Sequence, residues 1–141
     1  MTREPRPADG DRQPVILINK EGLTLGLDPT GAWIIWGPRN PVRPARERLL
    51  WLLPLLERPP DAVTTAVTTT GADGSIIPAL LRFALESWSS YWAGLALGWL
   101  EAGISVTDLV NVLASLKDSP TQPQPISHRA AQLWHKATTT T

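Results

Sequence analysis

Ser75 to Gly103 is the stretch that most constrains how this chain folds. It carries Trp88, Trp92 and Trp99 together with the single tyrosine and the single phenylalanine of the protein. Its apolar residues recur at helical spacing. Leu81, Leu85, Trp88, Trp92, Leu95 and Trp99 fall at intervals of 4, 3, 4, 3 and 4 and draw one apolar stripe along a helix. Leu80, Ala84 and Tyr91 form a second row that widens it, and Arg82 and Glu86 stand one turn apart on a flanking face as an ion pair. The spacing fits one helix over 77–102. The serines at 87, 89 and 90 favour two, roughly 77–87 and 90–102, because a serine hydroxyl accepts the free amides of a new first turn. Gly103 then supplies a left-handed cap.

Residues 87–100 carry no formal charge, which raises the question of a membrane span. A span needs about 20 apolar residues, and this run includes three serines and is bounded by Glu86 and Glu101. Gly94 and Gly98 form a GxxxG pair, a pattern known from membrane helix dimers. Between charged flanks it reads instead as a place where a neighbouring soluble helix approaches closely. A water-soluble core is the expectation, with no membrane partner.

The 141 residues suffice for one domain with a substantial core. Thirteen basic and thirteen acidic side chains balance, so no global field draws the protein to nucleic acid or anionic lipid. The absence of cysteine excludes disulfides, thiolate metal sites and cysteine nucleophiles. The opening MTREPRPADGDRQP has no apolar core of a secretory signal, which makes the cytoplasm the default expectation.

Residues 1–13 are charged and aperiodic and are expected to be a disordered arm. Val15–Asn19, then Leu23, Leu25 and Leu27 at period 2, then Ala32–Trp36 predict a three-stranded antiparallel meander over 14–38. Asp28-Pro29-Thr30-Gly31 makes one of its turns. Strands one and three are apolar on both faces. Trp33 and Trp36 point to opposite faces, so only one of them turns toward the helices.

Gly37-Pro38 is expected to stop the sheet. Pro44 then suits the first position of a helix from Ala45 to Leu53 or beyond, kinked or restarted at Pro54 and ended at Pro59-Pro60. The apolar run Leu49–Leu56 implies deep burial. Residues 61–70 alternate like a strand and also show a helical face of Val63, Ala66 and Val67; Asp61 as an N-cap favours a short helix. Ser105, with Asp108 three residues on, signals a helix to about Lys117 that buries Leu109, Val112, Leu113 and Leu116. Asp118–Pro125 reads as a semi-extended linker, Ser127 as the cap of a last helix over 128–136, and 138–141 as a frayed tail. The sequence therefore predicts a single α+β domain over 14–137. The three-stranded meander is followed from 44 onward by a compact bundle of five or six helices.

The chemistry on offer is sparse. His128 and His135 are seven apart, whereas a metal pair on a helix needs i, i+4 spacing; they read as surface residues, and neither metal nor cofactor is expected. No spacing links Glu86 to Glu101 or Asp73 to Asp108 as an acid–base pair. Ser87, Ser89 and Ser90 lack a nucleophile elbow, and no glycine-rich phosphate loop occurs. What stands out is GPRNPVRPARER, where Arg39, Arg43, Arg46 and Arg48 face only Glu47. Seven tryptophans are also many for this length, and Trp is favoured at interface hot spots.

The expectation is a non-enzymatic module that binds another protein, in the manner of an adaptor, inhibitor or immunity-like partner. Arg39, Arg43, Arg46, Arg48 and Trp134 are its candidate contact residues. A nucleic-acid-associated regulator using the same arginines is the alternative. A small ligand-binding or acid-only enzyme domain is a third reading, and homodimerisation stays open.

Overall fold

Four strands, not three, open the fold. In a computed structural model that describes residues 12–87 and 89–139, β1 (Gln13–Leu17), β2 (Thr24–Leu27), β3 (Trp33–Gly37) and β4 (Asn40–Pro44) form an antiparallel sheet in the order β1-β2-β3-β4. The arm expected over 1–13 lies outside the described residues except at its end, where Gln13 already belongs to β1.

The added strand lies between Gly37-Pro38, expected to stop the sheet, and the helix expected from Pro44. Gly37–Asn40 reverses the chain instead of ending the sheet, and Pro41 and Pro44 are tolerated because β4 is an edge, where a missing amide donor leaves no partner unsatisfied. The opposite edge, β1, carries Pro14.

Register sorts the two faces. Leu25 pairs with Ile35 and Leu27 with Trp33, and all four are buried. Thr24 pairs with Trp36 and Gly26 with Ile34 on the other face. Trp36 is the half-exposed tryptophan of the expected pair, and the Arg12 guanidinium lies 4.8 Å from its ring. A Cβ on Gly26 would stand 2.3 Å from the Gln13 carbonyl oxygen and 2.6 Å from the Trp36 ring, so only glycine fits. At the β2–β3 turn, Asp28 accepts from the Thr30 hydroxyl and from the Thr30 and Ala32 amides, as the turn chemistry requires.

The helix predicted from 45 onward is broken into three pieces. A 3-10 turn (Ala45–Glu47) packs against β3, α1 covers only Leu49–Leu52, and a second 3-10 turn follows (Leu53–Glu57). Arg48 sits at φ −134°, ψ 41°, outside the helical region, and Pro54 has no amide to continue the α-helical ladder. Leu52, Leu53, Leu55 and Leu56 are buried, but Leu50 is 63 % exposed, against the deep burial expected of the whole run.

α2 (Pro60–Thr69) settles the ambiguous segment as helix and packs against β1. Pro59 is the N-cap and Asp61 lies in the first turn, so the expected aspartate cap is not formed. Three threonines of this segment satisfy their hydroxyls along the helix. Thr64 donates to the Pro60 carbonyl at 2.9 Å, Thr69 to that of Thr65 at 2.7 Å, and Thr68 to that of Thr64.

The described residues divide into two compact units, the chain passing from the first to the second between Ile76 and Ile77. α3 (Ile76–Leu85), whose first residue closes the first unit, and α4 (Ser90–Glu101) are separate helices. Ser87 donates to the Ala84 carbonyl at 2.7 Å, and Ser89 is the N-cap of α4, accepting the Trp92 amide at 3.2 Å. The serine break is thus real, and it resets the helical register. Leu80, Leu81, Ala84 and Leu85 are buried on α3 as the stripe predicts. On α4 the buried face is Ala93, Ala96, Leu97 and Leu100 with Trp99. Tyr91 is 56 % exposed and does not join the core row. Trp88 lies outside the described residues.

Gly103 ends α4 at φ +115°, with its amide on Leu100 and that of Ile104 on Trp99, a Schellman arrangement. The next helix starts later than its serine signal. Ser105 accepts the Thr107 amide at 3.3 Å, a 3-10 turn runs over Thr107–Leu109, and α5 occupies Val110–Lys117. Leu109, Val112, Leu113 and Leu116 are buried as expected.

α6 (Gln124–Thr139) is longer than predicted at both ends. Its first turn takes up residues assigned to the linker, because Pro123 accepts the Ile126 and Ser127 amides and Pro125 stands where helical amides lack partners anyway. Ser127 is inside the helix and not its cap. Ile126, Ala130 and Leu133 are buried, and α6 packs chiefly along α5 and also on α4. Of the expected tail, Thr138 and Thr139 are helical and 140–141 lie outside the described residues. No helix among the described residues is long and apolar enough to cross a membrane.

Candidate interaction surface

The four arginines of the basic segment have different fates. Arg46, on the 3-10 turn, reaches the loop after α2. Its Nη2 lies 3.4 Å from the Asp73 carboxylate and also meets the Ser75 hydroxyl. Asp73 accepts the Ser75 amide and hydroxyl, both at 2.9 Å, and these bonds, then Arg46, hold its carboxyl below the usual carboxylate range. The backbone carbonyl of Asp73 in turn accepts the Trp33 indole N–H at 2.7 Å. Arg46 is therefore a clamp on its own loop. Arg48 stacks over Trp51 at 5.5 Å and donates to the Glu47 carbonyl at 3.0 Å.

Arg39 and Arg43 remain, both exposed on the β3–β4 hairpin. Arg43 donates only to the Val42 carbonyl, at 3.0 Å, and neither has a carboxylate partner among the described residues.

Arg39 lines a cleft of about 620 Å³ together with Asn19, Glu21, Leu23, Pro38 and Asn40. The topology creates this cleft. In an antiparallel order β1-β2-β3-β4, the β1–β2 and β3–β4 turns lie at the same end of the sheet. Asn19 Oδ1 accepts the Glu21 and Leu23 amides at 3.0 and 3.1 Å, which fixes the first turn and leaves the Asn19 amide hydrogens free to point elsewhere. Asn19, Glu21 and Asn40 were not singled out by the sequence. Recognising Asn40–Pro44 as a fourth strand is the signal that would have placed the two turns together.

A second hollow of about 330 Å³ shares Asn19 and is lined by Leu17, Lys20, Pro54 and Arg58 among others. Leu17 is 56 % exposed there, and Arg58 donates to the Ile18 carbonyl at 3.1 Å.

In the second unit, Trp134 is half-buried with the Lys117 ammonium 4.5 Å from its ring, so one face is already occupied. His128 and His135 are both exposed, and no group of three metal-ligating side chains occurs among the described residues. Of the carboxylates weighed for acid–base chemistry, three sit in separate ion pairs, Glu86 with Arg82 at 3.9 Å, Glu101 with Arg129 at 2.7 Å and Asp73 with Arg46 at 3.4 Å, while Asp108 meets Arg82 through its backbone carbonyl. Arg129, whose own pKa is raised chiefly by its hydrogen bond to Glu101, also donates to the Gly94 carbonyl at 3.1 Å. A Cβ on Gly94 or Gly98 would stand 3.6 or 3.7 Å from the Arg129 guanidinium, so the GxxxG face of α4 carries a side chain of α6.

The chain matches no family model, no curated protein and no solved structure.

Proposed function

We propose that this protein is a cytoplasmic, non-enzymatic module that binds another protein through the β3–β4 hairpin end of its sheet. The observation that carries this reading is the division of the arginines. Two of the four are held in intramolecular contacts, while Arg39, which lines the cleft, and Arg43, further along β4, are exposed and have no carboxylate partner among the described residues. A guanidinium left in this state offers fork-like donors to a carboxylate on a partner. Trp134, with Lys117 over its ring, is a weaker contact residue than its residue type implies. Phosphate tracking by a nucleic-acid regulator would draw on the same two side chains, but with less of the basic segment available to it.

Affinity capture with the full chain tests the reading, run with and without nuclease and repeated with R39E/R43E. A partner protein retained after nuclease and lost with the double variant, at unchanged thermal stability, supports it. Capture that vanishes with nuclease, or that is unaffected by the double variant, overturns it.

A further inference from the structure

We propose that the cleft between the two hairpin tips binds the free carboxylate end of a peptide chain. This rests on the reading of that surface as the working one, and names what it holds. Arg39 and Glu21 line the same cleft, and among the described residues neither makes an ion pair, with the other or elsewhere, so both charges face the cleft for a ligand to meet. The Asn40 side-chain amide has no partner among the described residues, and the Asn19 amide hydrogens are likewise uncommitted, its oxygen being spent on the turn. Leu23, almost wholly buried, and Pro38 supply an apolar wall.

A peptide terminus uses each of these groups. Its carboxylate meets the guanidinium fork of Arg39, its last carbonyl oxygen takes an asparagine amide, and its backbone N–H donates to Glu21. A phosphate dianion fits less well, since Glu21 repels its second charge. The volume of about 620 Å³ is that of a typical ligand site and holds two or three residues of an extended chain.

The test is an amide-resolved NMR titration of the full chain with an acetylated Gly-Ala-Leu tripeptide bearing a free C-terminus. The same peptide amidated at its C-terminus, and inorganic phosphate, are run in parallel. The expected result is saturable movement of the Asn19 and Asn40 side-chain amides and the Arg39 Nε signal. Binding should be at least about tenfold weaker for the amidated peptide and for R39Q. Arg39 is exposed, so R39Q is expected to fold, which unchanged amide signals from Leu25, Leu27, Trp33 and Ile35 in the same sheet verify. Equal binding of acid and amide, indifference to R39Q, tighter binding of phosphate, or no movement at about 10 mM peptide overturns the proposal. Loss of partner capture in R39E/R43E with no peptide-induced shift would sink the peptide-end proposal and leave the interaction reading standing; peptide binding with unaffected capture would do the reverse.

Discussion

The indole N–H of Trp33 donates to the backbone carbonyl of Asp73, 40 residues further along the chain and 2.7 Å away. One hydrogen bond thus ties β3 to the loop that follows α2. That loop is also held by Arg46, so strand, 3-10 turn and loop form one local assembly.

Replacing Trp33 with Phe removes the donor and leaves the Asp73 carbonyl in place without its partner. The expected cost is about 1–3 kcal/mol, read as a lowered urea midpoint at unchanged slope. The buried position of Trp33 makes this loss larger than that of W36F on the half-exposed face.

The Asp73 carboxyl is depressed below its ordinary 3.8 by the Ser75 amide and hydroxyl and by Arg46. A depressed carboxyl stabilises the fold fully above its unfolded pKa, and that contribution disappears as pH falls through the folded value. Stability is therefore expected to drop below about pH 4, and D73N should flatten that acid limb while lowering stability at neutral pH. Thermal melts between pH 2 and 7 measure both effects; parallel acid limbs in the two proteins would contradict the assignment.

Gly26→Ala places a methyl group against the Gln13 carbonyl oxygen and the Trp36 ring. The ring can swing away but the backbone oxygen has to move with β1. Destabilisation of about 1–3 kcal/mol is expected, along with a changed Trp36 environment visible in a protein where Trp36 carries a fluorinated indole.

Ser89→Ala removes the acceptor for the Trp92 amide at the start of α4. About 1 kcal/mol of stability should be lost, and Ser89→Asp should retain most of it, since aspartate caps by the same geometry. Thermal unfolding of the three proteins under one set of conditions decides the matter.

Much of the fold was legible where a residue's role is local. Asp28 forms its turn with neighbours two to four residues away, and the serine break and the Gly103 cap are likewise decided by adjacent amides. Prolines were misread wherever their tolerance depends on position in the whole. Pro41 and Pro44 stand on an edge that exists only once β3 is in place, and Pro123 and Pro125 start a helix fixed by Ile126, Ala130 and Leu133. The candidate surface was half legible. The arginine cluster is plain in the sequence, but the partner that removes Arg46 from it lies 27 residues downstream, and the cleft needs a turn contributed by residues near Asn19.

The prolines at the two sheet edges have a consequence for which contacts the sheet can make. Pro14 on β1 and Pro41 and Pro44 on β4 interrupt the rows of amide donors that an incoming strand would read. The edges of this sheet are thereby poor templates for a further strand. On the function proposed above, a partner spells its recognition in side chains, and single substitutions at the hairpin tips tune its specificity without opening the sheet to strand pairing.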